Sequence, residues 1–260
     1  MAEKQLIFDT HAHYDDDAFD SDRYELLANL REKGIGNVVN VGADMASSKS
    51  ALGYAKKYDF MYAALGVHPS EVEDLTEADM EWISEHSTYE KVVAIGEFGL
   101  DYHWPTPTPD IQRKWFYRQI DLAKEVNLPI IIHSRDAAEE TMKILTETKA
   151  YDCGGVIHCY SYSPEMAKEY VNMGFYIGVG GVVTFKNAKK LVRTVEELPL
   201  TRIVLETDCP YMAPEPNRGK RNDSSMLVHV AEKIALLKGM TTEEVIRITT
   251  ENARKMYRLS

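Results

Sequence analysis

The chain has 260 residues, 44% hydrophobic and 27% charged, with a formal net charge of −11; that is enough to bury a large core without covalent staples. The acidic balance argues against a protein that coats nucleic acid electrostatically, though not against a substrate held locally by metals and a few arginines. Three cysteines (Cys153, Cys159 and Cys209) without framework spacing, an N-terminus with no apolar signal core, and no apolar run of membrane length point to a cytoplasmic protein with no membrane partner.

The predicted elements alternate along the chain. A strand at 6–13 precedes a helix at 23–33, a strand at 37–42 a helix at 45–58, and a strand at 61–68 a helix at 77–86. The pattern repeats with strand 92–101 and helix 111–127, strand 129–135 and helix 137–148, and strand 155–160 and helix 164–173. It continues with strand 175–181 and helix 188–198, then strand 203–208 and two helices at 225–238 and 242–257. The strands read as continuous apolar runs, as strands buried on both faces do; the helices carry apolar residues at three-to-four spacing. Start and stop signals agree: Thr76 precedes Glu77 and Asp79, Ser163 precedes Pro164, Gly34 and Gly174 follow helices, and Thr241 with Glu244 forms a capping box.

Eight such units match an α/β chain folded as one domain over 1–260, a (β/α)8 TIM-type barrel with extra C-terminal helices. An open doubly wound sheet is the alternative, but no glycine-rich dinucleotide fingerprint follows the first strand. A monomer is expected.

Metal-type residues recur at the strand ends: DTHAH (9–13), IGEFGLD (95–101), IIIHSR (130–135), GVIHCY (155–160) and LETDCPY (205–211). In a parallel barrel these ends share one face, so His11, His13, Glu97, His133, His158 and Asp208 converge there. Imidazoles and carboxylates in that number are a divalent-metal site. Six ligands suit two ions better than one: His11, His13 and Asp208 on the first, His133 and His158 on the second, with Glu97 bridging. Such a pair activates water and clamps a phosphoryl or carbonyl oxygen. Glu97 and Asp208 are thus the candidate catalytic residues, with Asp208 as general base; a purely ligating Asp208 is the alternative, since a metal-bound carboxylate is less basic. Four imidazoles favour Zn2+ or Mn2+.

These motifs, with GVHP (66–69) and IHCYSYS, resemble the TatD family of metal-dependent deoxyribonucleases over nearly the whole chain. The family's ligand positions fall on His11, His13, Glu97, His133, His158 and Asp208. The resemblance implies hydrolysis of single-stranded DNA, 3′→5′, with a divalent ion such as Mg2+ or Mn2+. One departure is RNDSSM near 222, where relatives often carry Asn with a Pro shortly after it. The alternative reading is an amide or ester hydrolase on the same barrel and metals, because a fold is indifferent to substrate class.

Four residues are candidate substrate contacts. His68 ends the third strand and faces a phosphate or the water; Arg135 and Tyr160 lie two residues beyond His133 and His158 and so share their faces. Arg221 sits among Arg218 and Lys220 after the eighth strand, as Lys186, Lys189 and Lys190 follow the seventh, forming a basic rim. Asp101 and Tyr102 are expected to wall the pocket. Asp9 and Glu206 are expected inside the barrel beneath the ligands, and Cys159 and Cys209 on the opposite face, toward the helices.

Overall fold

In the computed structural model, which describes residues 5–259, eight strands pair in sequence order, every pair parallel. They are β1 (Ile7–Ala12), β2 (Ile35–Val41), β3 (Met61–Leu65), β4 (Val92–Asp101), β5 (Ile130–Arg135), β6 (Gly155–Ile157), β7 (Tyr176–Val179) and β8 (Ile203–Leu205). A parallel bridge between Ala12 and Cys209 joins the two ends of the sheet, so the barrel closes. Residues 1–4 and 260 of the expected single domain lie outside the described residues.

Helices α1 (Arg23–Asn29), α2 (Met45–Lys57), α3 (Glu77–His86), α4 (Pro109–Glu125), α5 (Ala138–Glu147), α6 (Pro164–Asn172), α7 (Lys189–Glu197) and α8 (Leu227–Lys238) follow the strands in turn. The one extra helix is α9 (Thr242–Met256). The expected caps form: Thr76 and Thr241 make reciprocal boxes with Asp79 and Glu244, and the Ser163 side chain accepts from the Met166 N–H. Each such cap stabilises its helix by about 1 kcal/mol. Among the described residues no helix is long and apolar enough to cross a membrane.

Two apolar layers follow from the strand period. Phe8, Val39, Val41, Ala64, Val93, Ile131, Val156 and Val204 cluster with the end of α9 and with no other helix, so they fill the barrel. Their strand neighbours Ile7, Val38, Ile130, Ile132 and Ile157 pack outward with the surrounding helices. The end of α9 seals the barrel from below. Tyr257 lies 6.1 Å from the Phe8 ring and donates its hydroxyl to Thr10 O at 2.8 Å. Asn252 donates to the Leu200 and Ile203 carbonyls, each at 2.8 Å.

Four strands are each three residues shorter than expected. β3 ends at Leu65, β6 at Ile157 and β8 at Leu205, and β7 spans only Tyr176–Val179. His68 therefore caps a short 3-10 turn, Pro69–Glu71, and the segments around His158 and Asp208 are loops on the C-terminal rim.

Candidate metal centre

The rim is built where two strands break their alternation. On β1, Asp9 pairs with Val38 but Ala12 pairs with Asn40, so β1 carries one extra residue. Asp9 consequently faces outward, accepting from the hydroxyls of Thr207 at 2.7 Å and Ser224 at 2.6 Å, while His11 and His13 face the rim. The expectation that Asp9 lies inside the barrel assumed an unbroken period of two, and the extra residue overturns it. On β4, Ile95 pairs with Ile130 but Phe98 with Ile132. The same insertion turns Glu97 inward, although Ile95 two residues earlier packs outward. Asp208 is reached through a left-handed residue, φ 56°, fixed by its N–H to His11 O at 2.9 Å.

These devices bring six ligand-type side chains together. His11 Nε2 lies 3.0 Å from His13 Nε2 and 3.2 Å from Glu97 Oε2. His13 Nε2 is 3.4 Å from Asp208 Oδ1. His158 Nε2 stands 3.6 Å from Glu97 Oε1 and 3.8 Å from Asp208 Oδ1, with its ring stacked on His11 at 3.6 Å. His133 meets Glu97 Oε1 through Nδ1 at 2.6 Å and Asp101 Oδ2 through Nε2 at 3.1 Å. The compact ligand sets are His11, His158 and Asp208; His11, His13 and Glu97; and His68, Glu97 and His133. Glu97 thus belongs to two sets. His158 groups with His11 rather than with His133, unlike the pairing expected from sequence.

The hydrogen bonds behind the ligands settle which nitrogens face the cluster. Val41 O can only accept, so the His13 Nδ1 that meets it at 2.9 Å carries the proton and Nε2 presents its lone pair. The Glu206 carboxylate does the same for His158 Nδ1 at 3.2 Å. Lone pairs and carboxylates then converge, which is repulsive until protons or divalent cations neutralise them. The same demand raises the histidine pKa values. Burial opposes protonation of His13, but Asp208 and Glu97 outweigh it and hold the pKa at about 9. Burial likewise opposes protonation of His158, and Glu206 and Glu97 lift it to about 10. Glu97 is 4% exposed, yet His158 and His11 overcome its burial and hold its carboxyl well below the usual range. The donor set fits hard or borderline divalent ions.

His68 differs from these. Its Nδ1 accepts the Ser70 N–H at 3.1 Å, so Nε2 carries the proton, 3.9 Å from Glu97 Oε1. Burial and the neighbouring His133 push its pKa down to about 3. It stands at the rim as a neutral imidazole beside Glu97 and His133.

The six residues, with His68 and Arg135, surround a cavity of about 930 Å3, His11 lying directly beneath its lining residues. That is near the top of the roughly 300–1,000 Å3 range of ligand pockets. Arg135 is exposed at its edge. Asp101 lines the cavity, whereas Tyr102 turns away and donates to Glu140 at 2.6 Å. Glu206 lies inside as expected, folded across Gly178, where a Cβ would come within 2.2 Å of its carboxylate.

One side chain leaves its expected position, and its neighbour is more deeply buried than expected. β6 ends before His158, and Cys159 adopts φ 45°, so the alternation that put Tyr160 beside His158 does not apply. Tyr160 is buried against Tyr162 and Tyr170, with its hydroxyl on Ser163 O. Cys159 lines the cavity beside Tyr160, its Sγ 3.6 Å from Met212 Sδ. Burial pushes its thiol pKa well up, which makes it a poor nucleophile. Cys209 is fully buried, as expected. Arg221 is engaged elsewhere: both guanidinium arms reach Asp22, at 2.7 and 2.6 Å, and one also donates to Ala18 O. Asn222 is buried and donates to Thr207 O and Tyr211 O, so the loop that departs from its relatives is held from within. Trp104, Tyr211 and Met212 line the cavity and were not singled out by sequence; only their position after ligand-bearing strands signals them.

Comparison with known proteins agrees with this geometry. A family model described as TatD related DNase matches residues 8–258. The chain is 50% identical over 255 residues to YabD of Bacillus subtilis (strain 168), described as an uncharacterized metal-dependent hydrolase, covering 98% of this chain and 100% of that one. It is 36% identical over 257 residues to YcfH of Escherichia coli (strain K12), which carries the same description, covering 98% and 96%. The crystal structure of YJJV, a TatD homolog from Escherichia coli K12, superposes with a TM-score of 0.93 at 29% identity, covering 99% of this chain and 100% of that one.

Proposed function

We propose, for a chain that belongs to the TatD-related DNase family and is a metal-dependent hydrolase, removal of nucleotides from the 3′ end of single-stranded DNA. The observation that supports this best is the sharing of Glu97 between two ligand sets in one open cavity edged by Arg135. In this reading two divalent ions (Mg2+, Mn2+ or Zn2+) would be held by His11, His13, His158 and Asp208 and by His133, with Glu97 available to either. Bound there, they supply Lewis-acid polarisation of a phosphoryl oxygen and acidified water.

The chain's own residues do the rest. Glu206 and Val41 O hold the Nδ1 protons of His158 and His13, so in the neutral imidazoles it is Nε2 that offers its lone pair to the site. Asp208 takes the proton of the attacking water on its carboxylate as the phosphorus–O3′ bond breaks, and returns it to the departing O3′ as the hydroxyl of the shortened strand. Its Oδ1 already faces His13, His11 and His158, which keep its pKa low, so Oδ2 is the oxygen free to serve. His68 donates Nε2–H, and Arg135 its guanidinium, to non-bridging phosphate oxygens. Arg221, bound to Asp22, contributes to the shape of the loop and not to the phosphate.

Purified protein with defined metals tests the proposal on 5′-labelled single-stranded DNA, duplex, RNA, and an aminoacyl ester. A ladder of strands shortened from the 3′ end supports it. Intact DNA beside rapid ester or amide hydrolysis overturns it in favour of an amidohydrolase-type activity.

A further inference from the structure

Among the described residues, six large hydrophobic side chains are exposed: Tyr24, Trp104, Tyr117, Tyr211, Met212 and Leu236. Singly scattered apolar residues need no explanation. Here, however, Trp104, Tyr211 and Met212 line the one cavity that holds the ligand residues. Trp104 and Tyr211 are each 56% exposed. An apolar concentration at the mouth of a charged site marks a contact surface.

The two rings stand on opposite sides of that mouth. Trp104 follows β4 and Tyr211 follows β8, and in a ring ordered β1 to β8 these strands lie half a turn apart. Both are also tied to the ligand cluster. Trp104 is three residues beyond Asp101, which binds His133, and Tyr211 is three residues beyond Asp208.

Both rings are held in advance. The Trp104 loop is anchored by the buried Gln112 side chain, which bonds Asp101 N, Asp101 O and Pro107 O. Pro105 and Pro107 stiffen it further, and His103 packs edge-on against Trp104 at 4.7 Å. Tyr211 donates its hydroxyl to Asp16 at 2.8 Å, its N–H to Asp208 O, and accepts from Asn222 at 2.8 Å. Rings fixed before binding forfeit little entropy when a flat partner covers them.

Resting on the nuclease reading above, we infer that Trp104 and Tyr211 are stacking platforms for the two unpaired bases flanking the scissile phosphate. One base lies on each ring and the phosphate between them sits at the ligand cluster. Every base has a π-face, so the grip is indifferent to sequence. It also selects single strands, because paired and stacked bases cannot splay onto two rings half a barrel apart.

Steady-state kinetics of Trp104→Ala and Tyr211→Ala, with Trp104→Phe and Tyr211→Phe as ring-retaining controls, test this. The substrates are an oligodeoxynucleotide and the same strand with abasic residues at its two terminal positions. Stacking is worth about 1–3 kcal/mol per base, so each Ala variant raises KM on the normal strand about five- to 150-fold, with kcat changed little. The Phe variants stay near wild type. On the abasic strand the wild-type KM rises by about the product of the two single-variant factors, and the Ala variants cost almost nothing more. Wild-type KM in the Ala variants, or an equal loss on abasic DNA, overturns the stacking assignment alone. Failure of the wild-type protein to cleave any DNA overturns the nuclease reading and this inference with it.

Discussion

Glu206→Gln separates the fold from the metal centre. Glu206 is 1% exposed and spends both carboxylate oxygens on donors: Oε2 on His158 Nδ1 at 3.2 Å and Oε1 on the Cys159 N–H at 2.6 Å. Glutamine keeps the volume but has one acceptor. The backbone N–H of Cys159 cannot reverse its role, so the amide oxygen stays there and the NH2 meets His158 Nδ1. That nitrogen must then accept, which moves the imidazole proton to Nε2, the atom that faces Glu97 and Asp208 at 3.6 and 3.8 Å. A protonated Nε2 cannot bind a metal. Loss of a partner of this kind costs about 10- to 100-fold in metal affinity or activity, or roughly 1.4–2.7 kcal/mol. The side-chain oxygen and nitrogen at position 206 each keep a partner, so unfolding free energy should change by less than about 1 kcal/mol, or roughly 2–4 °C in Tm. Calorimetric titration of metal-stripped protein with Mn2+, beside thermal melts, measures both. A variant that binds Mn2+ as tightly as wild type refutes the tautomer argument. So does one that loses affinity only because it has unfolded.

Three further outcomes follow from the same geometry. Gly178→Ala places a methyl within 2.2 Å of the Glu206 carboxylate, so it should reproduce the Mn2+ defect of Glu206→Gln from a residue that touches no ligand; unchanged binding means Glu206 can move without consequence. Arg135→Ala should lower by about one the slope of log affinity against log salt for a single-stranded oligonucleotide. Arg221→Ala should leave that slope alone, because Asp22 already neutralises it; the reverse order sinks the assignment of Arg135. Tyr257→Ala removes the side chain that seals the barrel and should cost roughly 3–5 kcal/mol, whereas Tyr257→Phe loses only the bond to Thr10 O, about 0.5–1.5 kcal/mol. Chemical denaturation checks both, and equal losses would place the stability in the hydroxyl rather than the ring.

The barrel was legible because its signals are local and redundant. Continuous apolar runs such as IIIH and VVAI have no solvent face, and parallel strands are where such runs are stable. Turn chemistry at Thr76, Ser163 and Thr241 marks helix starts independently of those runs. The convergence of His11, His13, Glu97, His133, His158 and Asp208 was legible for a related reason. Wherever the exact strand end falls, His, Glu or Asp after an apolar run arrives at the same rim, so errors of three residues in β3, β6 and β8 leave the cluster intact.

Face assignments beyond the ligands depend on an unbroken period of two, and that is where sequence reasoning failed. An extra residue in β1 sends Asp9 outward, and a left-handed Cys159 brings its own side chain to the cavity beside Tyr160. A bulge is a property of two strands in register, so one strand's residues do not announce it. The same irregularity makes the centre. Side chains two apart on a regular strand are held a fixed distance along it, whereas the insertions on β1 and β4 let His11 Nε2 approach both His13 Nε2 and Glu97 Oε2 within 3.2 Å. Closing the register at Gly96 would return Glu97 to the outward face of Ile95 and remove the carboxylate common to two ligand sets. The features hardest to read from the chain are therefore the ones that convert a generic barrel rim into a site able to hold divalent ions.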